Sequence, residues 1–302
     1  MTSGRVGVVV VAYRSADELA GCIDHVRRAT ADVGLDIVVV DNASPDDTRG
    51  AVAAVGGNVR LVEMGRNAGF AAACNAGAQA SRGDYVCFVN PDARPEPGSI
   101  DALVNAAQRR PGHLLYSGRV VTPTGEVEDG CCSALPSLWE YVCFATGLST
   151  AFPRTAWFDP ARLGGWGRDD ERVVPAVSGA FLLVRREEFL EAGGFDERYV
   201  MYSEDVDLSR RARESGRPPL FVPSASAVHR SGSSSSGEAK TVMVLRGKST
   251  YLRLNWTAPA RTVALWLLCI GVAVRAWTSA VSRRGTKWRT AWRERRVWTG
   301  GW

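Results

Sequence analysis

Val6-Gly7-Val8-Val9-Val10-Val11-Ala12-Tyr13 opens the chain with a run too short and too β-branched for a helix. It reads as a buried strand over residues 6–11, apolar on both faces as strands of parallel sheets are. Helical periodicity follows over residues 16–31, then a second apolar strand over 37–40 that ends in Asp41 and Asn42. A third strand is expected at 59–62, an alanine-rich helix at 70–80, and a fourth strand at 85–89 closing on Asn90-Pro91-Asp92. Short apolar strands alternating with helices are the signature of βαβ units on a mostly parallel sheet. Several distinctive polar residues fall just after a strand, and that carboxyl edge is where open α/β sheets bind ligands.

Beyond this half the pattern is weaker. Residues 121–175 mix Gly, Pro, Cys and aromatics without a sustained period and read as irregular or mobile. A strand at 177–184, a short helix at 186–192, a helix at 205–215 and a strand at 220–222 follow. The serine run 231–236 reads as a flexible loop, and helical pattern resumes from 239. The apolar stretch 262–274 is interrupted by Arg275 and is too short for the ~30 Å core of a bilayer. It suits an interfacial, re-entrant or core helix better than a span, in which Arg275 would be costly.

The chain has 302 residues, enough to bury a full core, and its 45% hydrophobic and 23% charged residues are those of an ordinary α/β protein. Seven cysteines with no C-x-x-C pair argue against a zinc ribbon or a disulfide framework and for a reducing compartment. No secretory signal precedes the first strand, so a cytoplasmic location is expected. The net charge of +5 is unevenly spread: from Arg275 onward eight Arg/Lys residues face one acid, Glu294. Trp277, Trp288, Trp292, Trp298 and Trp302 share that stretch. Tryptophan interleaved with cations suits an anionic membrane surface, which is the expected partner of this tail; the plainer reading is a helical tail that packs its indoles inward.

Individual residues carry candidate chemistry, each beside a plainer role. Asp41 can accept a hydrogen bond from the imide N–H of a pyrimidine. Ser44-Pro45-Asp46-Asp47 just after it reads as a helix start with Pro at the first position. Arg66-Asn67-Ala68-Gly69-Phe70 precedes the alanine-rich helix, whose free N–H groups and Arg66 could face a phosphate; most such loops are only turns. Asp92 has the chemistry to hold a divalent cation, or simply closes a polar turn. Glu204, Asp205 and Asp207 begin a helix, where acids are favoured by the macrodipole and where a carboxylate could also deprotonate a hydroxyl. His229 is one of three histidines and could ligate a metal or sit in the core.

Taken together, and in this order, Val10–Tyr13, Val39–Ser44, Asn67-Ala68-Gly69-Phe70, Val89-Asn90-Pro91-Asp92, Ser178-Gly179-Ala180, Gly193-Gly194-Phe195-Asp196-Glu197, Tyr202-Ser203-Glu204-Asp205-Val206-Asp207-Leu208 and His229-Arg230-Ser231-Gly232 resemble family 2 glycosyltransferases. They are most similar to the rhamnosyltransferase branch, over about residues 4–236. The resemblance implies a GT-A fold: a Rossmann-like, mostly parallel sheet flanked by helices, here with a C-terminal helical extension. It also implies a nucleotide-sugar donor, Mg²⁺ or Mn²⁺, and inversion at the anomeric carbon.

Carried onto this chain, Ala12, Tyr13, Asp41, Arg66, Asn67, Asn90 and Asp92 lie at the nucleotide sugar. Ser178, Gly179, Ala180 and Glu204 lie on the acceptor side, Asp205 is the base, and Asp92 with His229 holds the metal. Asn90 stands where a DxD motif has its first acid, which leaves less negative charge at the ion. The resemblance divides the chain into a nucleotide-sugar half (1–110), an acceptor and catalytic half (111–238) and a basic, membrane-proximal extension (239–302).

The activity implied is transfer of a sugar, foremost L-rhamnose from dTDP-L-rhamnose, to a cell-envelope or polyprenyl-linked saccharide at the inner membrane face. Another nucleotide sugar with a small-molecule acceptor, or a degenerate glycan-binding module, are the alternatives. A nicotinamide-dependent oxidoreductase is disfavoured, because Val11-Ala12-Tyr13-Arg14-Ser15 replaces G-x-G-x-x-G after the first strand. Nucleic acid is not an expected partner.

Overall fold

In the computed structural model, which describes residues 4–229, 237–282 and 285–302, the valine run lies at the centre of a sheet. The first part of the chain gives β1 (Arg5–Ala12), α1 (Ala16–Arg28), β2 (Gly34–Asp41), α2 (Thr48–Val55), β3 (Val59–Glu63) and α3 (Phe70–Ala80). Next come β4 (Tyr85–Val89), β5 (Ala93–Pro95), α4 (Ser99–Arg109), β6 (Leu115–Val121), β7 (Cys132–Ser133), α5 (Leu138–Thr146) and α6 (Leu148–Ala151). Then follow β8 (Arg172–Val173), β9 (Ala176–Val177), β10 (Phe181–Arg185), α7 (Arg186–Glu191), α8 (Glu204–Glu214) and β11 (Leu220–His229). The C-terminal helices are α9 (Gly237–Asn255), α10 (Ala258–Val281), α11 (Lys287–Arg293) and α12 (Arg295–Thr299). The chain forms two compact units. One comprises Met1–Ser133, Arg168–Glu197 and Asp205–Ser234; the other comprises Ala134–Gly167, Arg198–Glu204 and Ser235–Trp302.

The first unit holds a sheet of order β3-β2-β1-β4-β10-β6-β11-β5, with β8 added on β11. Strands β3, β2, β1 and β4 are parallel, as the alternating pattern requires. The other half is mixed: β10 runs antiparallel to both β4 and β6, and β5 antiparallel to β11. Val8, Val9, Val10, Val38, Val39 and Val40 are buried, so β1 and β2 are covered on both faces. Helix α3 lies close on them because it is built of small residues. A Cβ at Gly77 would come within 2.3 Å of a Val9 methyl.

The Gly193-Gly194-Phe195 segment is a packing device. Gly194 has φ +66°, and a Cβ there would lie 2.5 Å from the Asn75 carboxamide oxygen. That oxygen accepts the Phe195 N–H at 2.9 Å, while the Asn75 NH₂ donates to the Phe195 carbonyl at 2.8 Å. One side chain of α3 thus satisfies both backbone groups of a buried residue in the segment leading toward α8.

The second unit contains α5, α6 and α9–α12. Its core cluster includes Tyr141, Leu245, Leu252, Leu268, Val272 and Trp298. Here the structure departs from the expected irregularity of 121–175. Helix α5 is ordered, capped by the Ser137 hydroxyl, which accepts the Glu140 N–H, and ended by Gly147 at φ +80°. Helix α10 has 24 residues, well beyond the apolar stretch 262–274, and is long and apolar enough to cross a membrane by length and composition.

The tail's tryptophans are mostly structural. Trp298 is fully buried with its indole N–H on the Ala291 carbonyl, and Trp288 and Trp292 pack on the core cluster. Trp302 donates to the Met201 carbonyl beneath the Arg246 guanidinium. Of the five, only Trp277 is exposed. The serine run 231–236 lies outside the described residues.

The two glycines of the 193–194 pair separate strain from steric clash. Gly193 also has positive φ (+80°), but a Cβ there meets nothing within 4 Å. Gly193→Ala should cost about 1 kcal/mol of backbone strain. Gly194→Ala should cost clearly more, because the Asn75 clamp must also shift. Urea unfolding of the two variants checks the difference.

Candidate active site

The parallel strands deliver the first group of predicted residues to one edge. Ala12 ends β1 and pairs in register with Asp41 at the end of β2. After Ala12 the chain turns sharply: the Tyr13 N–H donates to the Ser15 hydroxyl, and Arg14 takes φ +53° with its N–H on the Ser44 hydroxyl. One Asp41 oxygen accepts the Ser44 N–H at 2.9 Å, which fixes the carboxylate at the strand end. The helix cap lies further on than the sequence suggests. Asp47, not Ser44, caps α2 by accepting the Gly50 N–H, and Pro45 falls in the preceding loop. Ser44 and Asp46 instead tie this loop back to Arg14 and Ala16.

The Arg66–Gly69 loop is held by a residue absent from the expected site. Buried Asn42 accepts the Ala68 N–H at 2.9 Å and donates to the Gly69 carbonyl and the Asn67 side-chain oxygen. The Asn67 oxygen also accepts the Gly69 N–H, so it serves the loop itself. Arg66 is exposed at the tip.

The Asn90-Pro91-Asp92 turn is braced from below by largely buried Arg94. Its guanidinium donates to the Pro91 carbonyl at 2.8 Å and pairs with Glu18 of α1. Antiparallel β5 and β11 place His229 opposite Ala93, which brings His229 Nε2 within 3.2 Å of an Asp92 oxygen. The other ring nitrogen, Nδ1, faces Glu128 at 3.3 Å. Burial opposes a charge on His229, but the Asp92 and Glu128 carboxylates outweigh it and raise its pKa from 6.5 to about 9.

The expected strand over 177–184 is broken into β9 and β10 by Ser178-Gly179-Ala180. Polar groups explain the break. The Gly179 N–H donates to the Asp205 carboxylate at 3.0 Å, and the Ala180 N–H to the Ser178 hydroxyl. Because β10 is antiparallel to β4, its start lies at the end of β4, where the Asn90 N–H donates to the Ala180 carbonyl at 3.1 Å. Asn90, the 178–180 turn and Asp205 are therefore brought together.

Helical geometry separates the three acids of α8. Asp207 is buried between Arg210 at 3.0 Å and Arg211 at 2.8 Å, and Arg211 reaches on to the Ala192 and Gly194 carbonyls. It is a structural ion pair. Glu204 is buried at the helix start. Asp205 is held by the N–H groups of Gly179 and Val206; burial outweighs these bonds and raises its proton affinity above that of an ordinary aspartate. Tyr202 and Ser203, just before the helix, both have positive φ (+66° and +73°), a strain that persists only where the surroundings enforce it.

The Asp92 carboxylate and the His229 imidazole could together hold a divalent cation. The two side chains meet at a separation of 3.2 Å. A carboxylate on the far ring nitrogen, as Glu128 is, would orient such an imidazole. Among the described residues no group of three or more His, Cys, Asp or Glu surrounds such a point.

An α/β sheet that gathers carboxylates, an imidazole and a helix-start acid at its carboxyl edge is the architecture of a GT-A glycosyltransferase. Solved structures agree. A mannosyltransferase from Pyrobaculum calidifontis in complex with GDP-Man and Mn²⁺ superposes with a TM-score of 0.58 at 19% identity, over 92% of this chain and 75% of that one. Glucosyl-3-phosphoglycerate synthase from Mycobacterium tuberculosis, with Mn²⁺ and UDP, gives 0.53 at 19% identity over 83% and 79%. In sequence, residues 7–147 match the model of glycosyl transferase family 2. The N-acetylglucosaminyl-diphospho-decaprenol L-rhamnosyltransferase of M. tuberculosis is 34% identical over 286 residues, 89% of this chain and 91% of that protein. The chain belongs to glycosyltransferase family 2, and it is a glycosyltransferase.

Asp205 yields a prediction that separates stability from catalysis. A carboxyl whose pKa is raised by folding favours the native state only below its unfolded pKa, and that contribution is lost as pH rises through the folded pKa. Ionised Asp205 therefore detracts from stability at neutral pH. Asp205→Asn should melt at the same or a higher temperature than the wild type at pH 7.5. Any gap should close as pH falls toward about 4. Thermal melts across that range test it.

Proposed function

We propose that this enzyme transfers L-rhamnose, with inversion, from dTDP-L-rhamnose to a hydroxyl of a polyprenyl-linked, cell-envelope saccharide at the cytoplasmic face of the membrane. The observation that carries this is the 34% identity, over nearly the whole length of both chains, to a rhamnosyltransferase whose name gives a diphospho-decaprenol acceptor. In this reading residues 1–110 hold the donor, residues 111–238 the acceptor, and residues 239–302 form the membrane-proximal extension.

Ala12 and Tyr13 line the nucleotide, and Asp41 accepts the imide N–H of thymine. Arg66 and the 67–69 loop approach the diphosphate with a cation and the free N–H groups at the start of α3. Asn90 and Asp92 flank the sugar phosphate. Asp92 and His229 would hold Mg²⁺ or Mn²⁺, which supplies positive charge to the departing diphosphate. On the other side, Ser178, Gly179, Ala180 and Glu204 shape the acceptor pocket.

Asp205 takes the proton from the acceptor hydroxyl as its oxygen bonds to the anomeric carbon opposite the leaving diphosphate. Its raised proton affinity makes it a stronger base than an ordinary aspartate, while the Gly179 N–H keeps it aimed. The Asp207 carboxylate, neutralised by two arginines, has no such role.

A donor panel tests the reading. Nucleoside diphosphate release should be fastest with dTDP-L-rhamnose, since losing contact with the thymine methyl costs roughly 1–3 kcal/mol. Strict use of UDP-glucose would overturn the donor assignment and leave the family unchanged. With the preferred donor, Asp205→Asn should lose at least about 10²-fold in kcat with donor binding retained. EDTA should abolish turnover, Asp92→Asn should weaken metal-dependent donor binding, and Glu128→Gln should weaken metal affinity about 10–100-fold. Full activity in excess EDTA would remove the metal from the mechanism.

A further inference from the structure

The chemistry above leaves the outer face of α10 without a use. Val263, Trp266, Ile270, Val274, Trp277 and Val281 are exposed, the two tryptophans at 68% each. Their spacing of three and four residues stacks them in one stripe about 80° wide and about 27 Å long. The charged residues of the helix, Arg261 and Arg275, lie outside that arc.

Burial on the other side is well defined. Ala264, Leu268, Gly271, Val272 and Ala276 are buried, and α10 packs against α5 and α11. A Cβ at Gly271 would come 2.3 Å from the Phe144 ring, so the approach to α5 is close. Arg275 stacks over that ring at 3.8 Å and donates to the Phe144 carbonyl at 2.6 Å. The helix is thus fixed with one face in the core and the apolar stripe in water. An exposed stripe of this size marks an interaction surface.

Charge selects the occupant. Residues 235–302 hold thirteen Lys/Arg against two acids, Glu238 and Glu294, although the whole chain is only +5. Two such surfaces repel one another, whereas anionic lipid attracts each of them. Indoles on an apolar stripe suit the boundary between headgroups and acyl chains. A span is disfavoured by the packing. To cross the bilayer, α10 would have to leave α5 and α11 or carry them, and Arg275, into hydrocarbon.

We propose that α10 lies in the plane of an anionic bilayer, with the stripe of residues 263–281 sunk into its interface and the surrounding cations on lipid phosphates. This rests on the polyprenyl-linked acceptor only for its purpose, and the binding itself is measurable without any acceptor.

The test uses the full chain and vesicles of phosphatidylcholine with and without phosphatidylglycerol. Wild type should sediment with the anionic vesicles, show a blue shift of tryptophan emission, and be quenched by lipids brominated near the headgroup end of the acyl chain. The double variant Trp266→Gln/Trp277→Gln should keep its melting temperature and lose at least tenfold in partitioning. Transfer to a soluble short-chain acceptor should be unchanged in the variant, while transfer to a long-chain acceptor in vesicles should fall.

Failure of wild type to bind anionic vesicles overturns the proposal, as does a variant that binds equally well. Resistance of vesicle-inserted protein to alkaline extraction would make α10 a span and overturn it too. So would a dimer that the double substitution dissociates, with no vesicle binding, which would assign the stripe to a second copy. Absence of transfer to either acceptor, with vesicle binding intact, would instead count against the proposed function.

Discussion

Strand β10 enters the sheet against the direction of β4, and the candidate site depends on that reversal. Phe181 pairs with Val89, so the first residue of one strand meets the last of the other. The turn before β10 consequently lies beside Asn90, and its Gly179 N–H reaches Asp205. A parallel strand at the same place would start at the opposite edge, roughly 15 Å away for five residues. The second reversal, β5 against β11, does the same for His229, which no local sequence feature links to Asp92. The parallel half brings Ala12 and Asp41 to the carboxyl edge in the ordinary way.

Within that frame the acids differ by what neutralises them. Asp207 is enclosed by Arg210 and Arg211, and through Arg211 it secures the glycine pair before Phe195. Such a pair is costly to break from one side and offers no free basicity. Asp205, two residues earlier on the same helix, is held by peptide N–H groups whose dipoles orient it without removing its affinity for a proton. Asp92 shares an imidazole with Glu128. A fixed order of acids along one short helix therefore gives one ion-paired strut and one carboxylate that keeps its affinity for a proton, because successive side chains point about 100° apart.

Much of this was legible because the elements concerned have simple patterns. Helix α3 and strand β4 fall at 70–80 and 85–89 as read, the first from its alanines and the second from an unbroken apolar run. Strand β11 was read as three residues because Pro223 and its neighbouring serines hide the alternation, and its irregular register across Phe221 and Ser226 reflects them. That shortfall hid the register that sets His229 opposite Ala93, and only the family resemblance paired His229 with Asp92. Glu128 and Arg94 carry no signal of their own: one meets His229 from 101 positions away, and the other joins the Pro91 carbonyl to Glu18 of α1. Helix α5 escaped notice because it is apolar nearly all round, which removes the period by which a helix is recognised.

Tryptophan and arginine in the C-terminal stretch show why composition alone leaves a surface undecided. A buried indole needs an acceptor for its N–H, and Trp298 and Trp302 find theirs on the Ala291 and Met201 carbonyls. Those rings hold the unit together and are unavailable to lipid. Trp266, which lies outside the basic tail, shares the exposed stripe with Trp277. The stripe is set on a helix already fixed by Gly271 against Phe144 and by the bonds of Arg275. An amphipathic segment that folds only on the bilayer gives up part of its binding energy to ordering its own backbone. A helix held in place by the core of its unit does not, so a short stripe of six side chains can bind where a disordered segment would need a longer one.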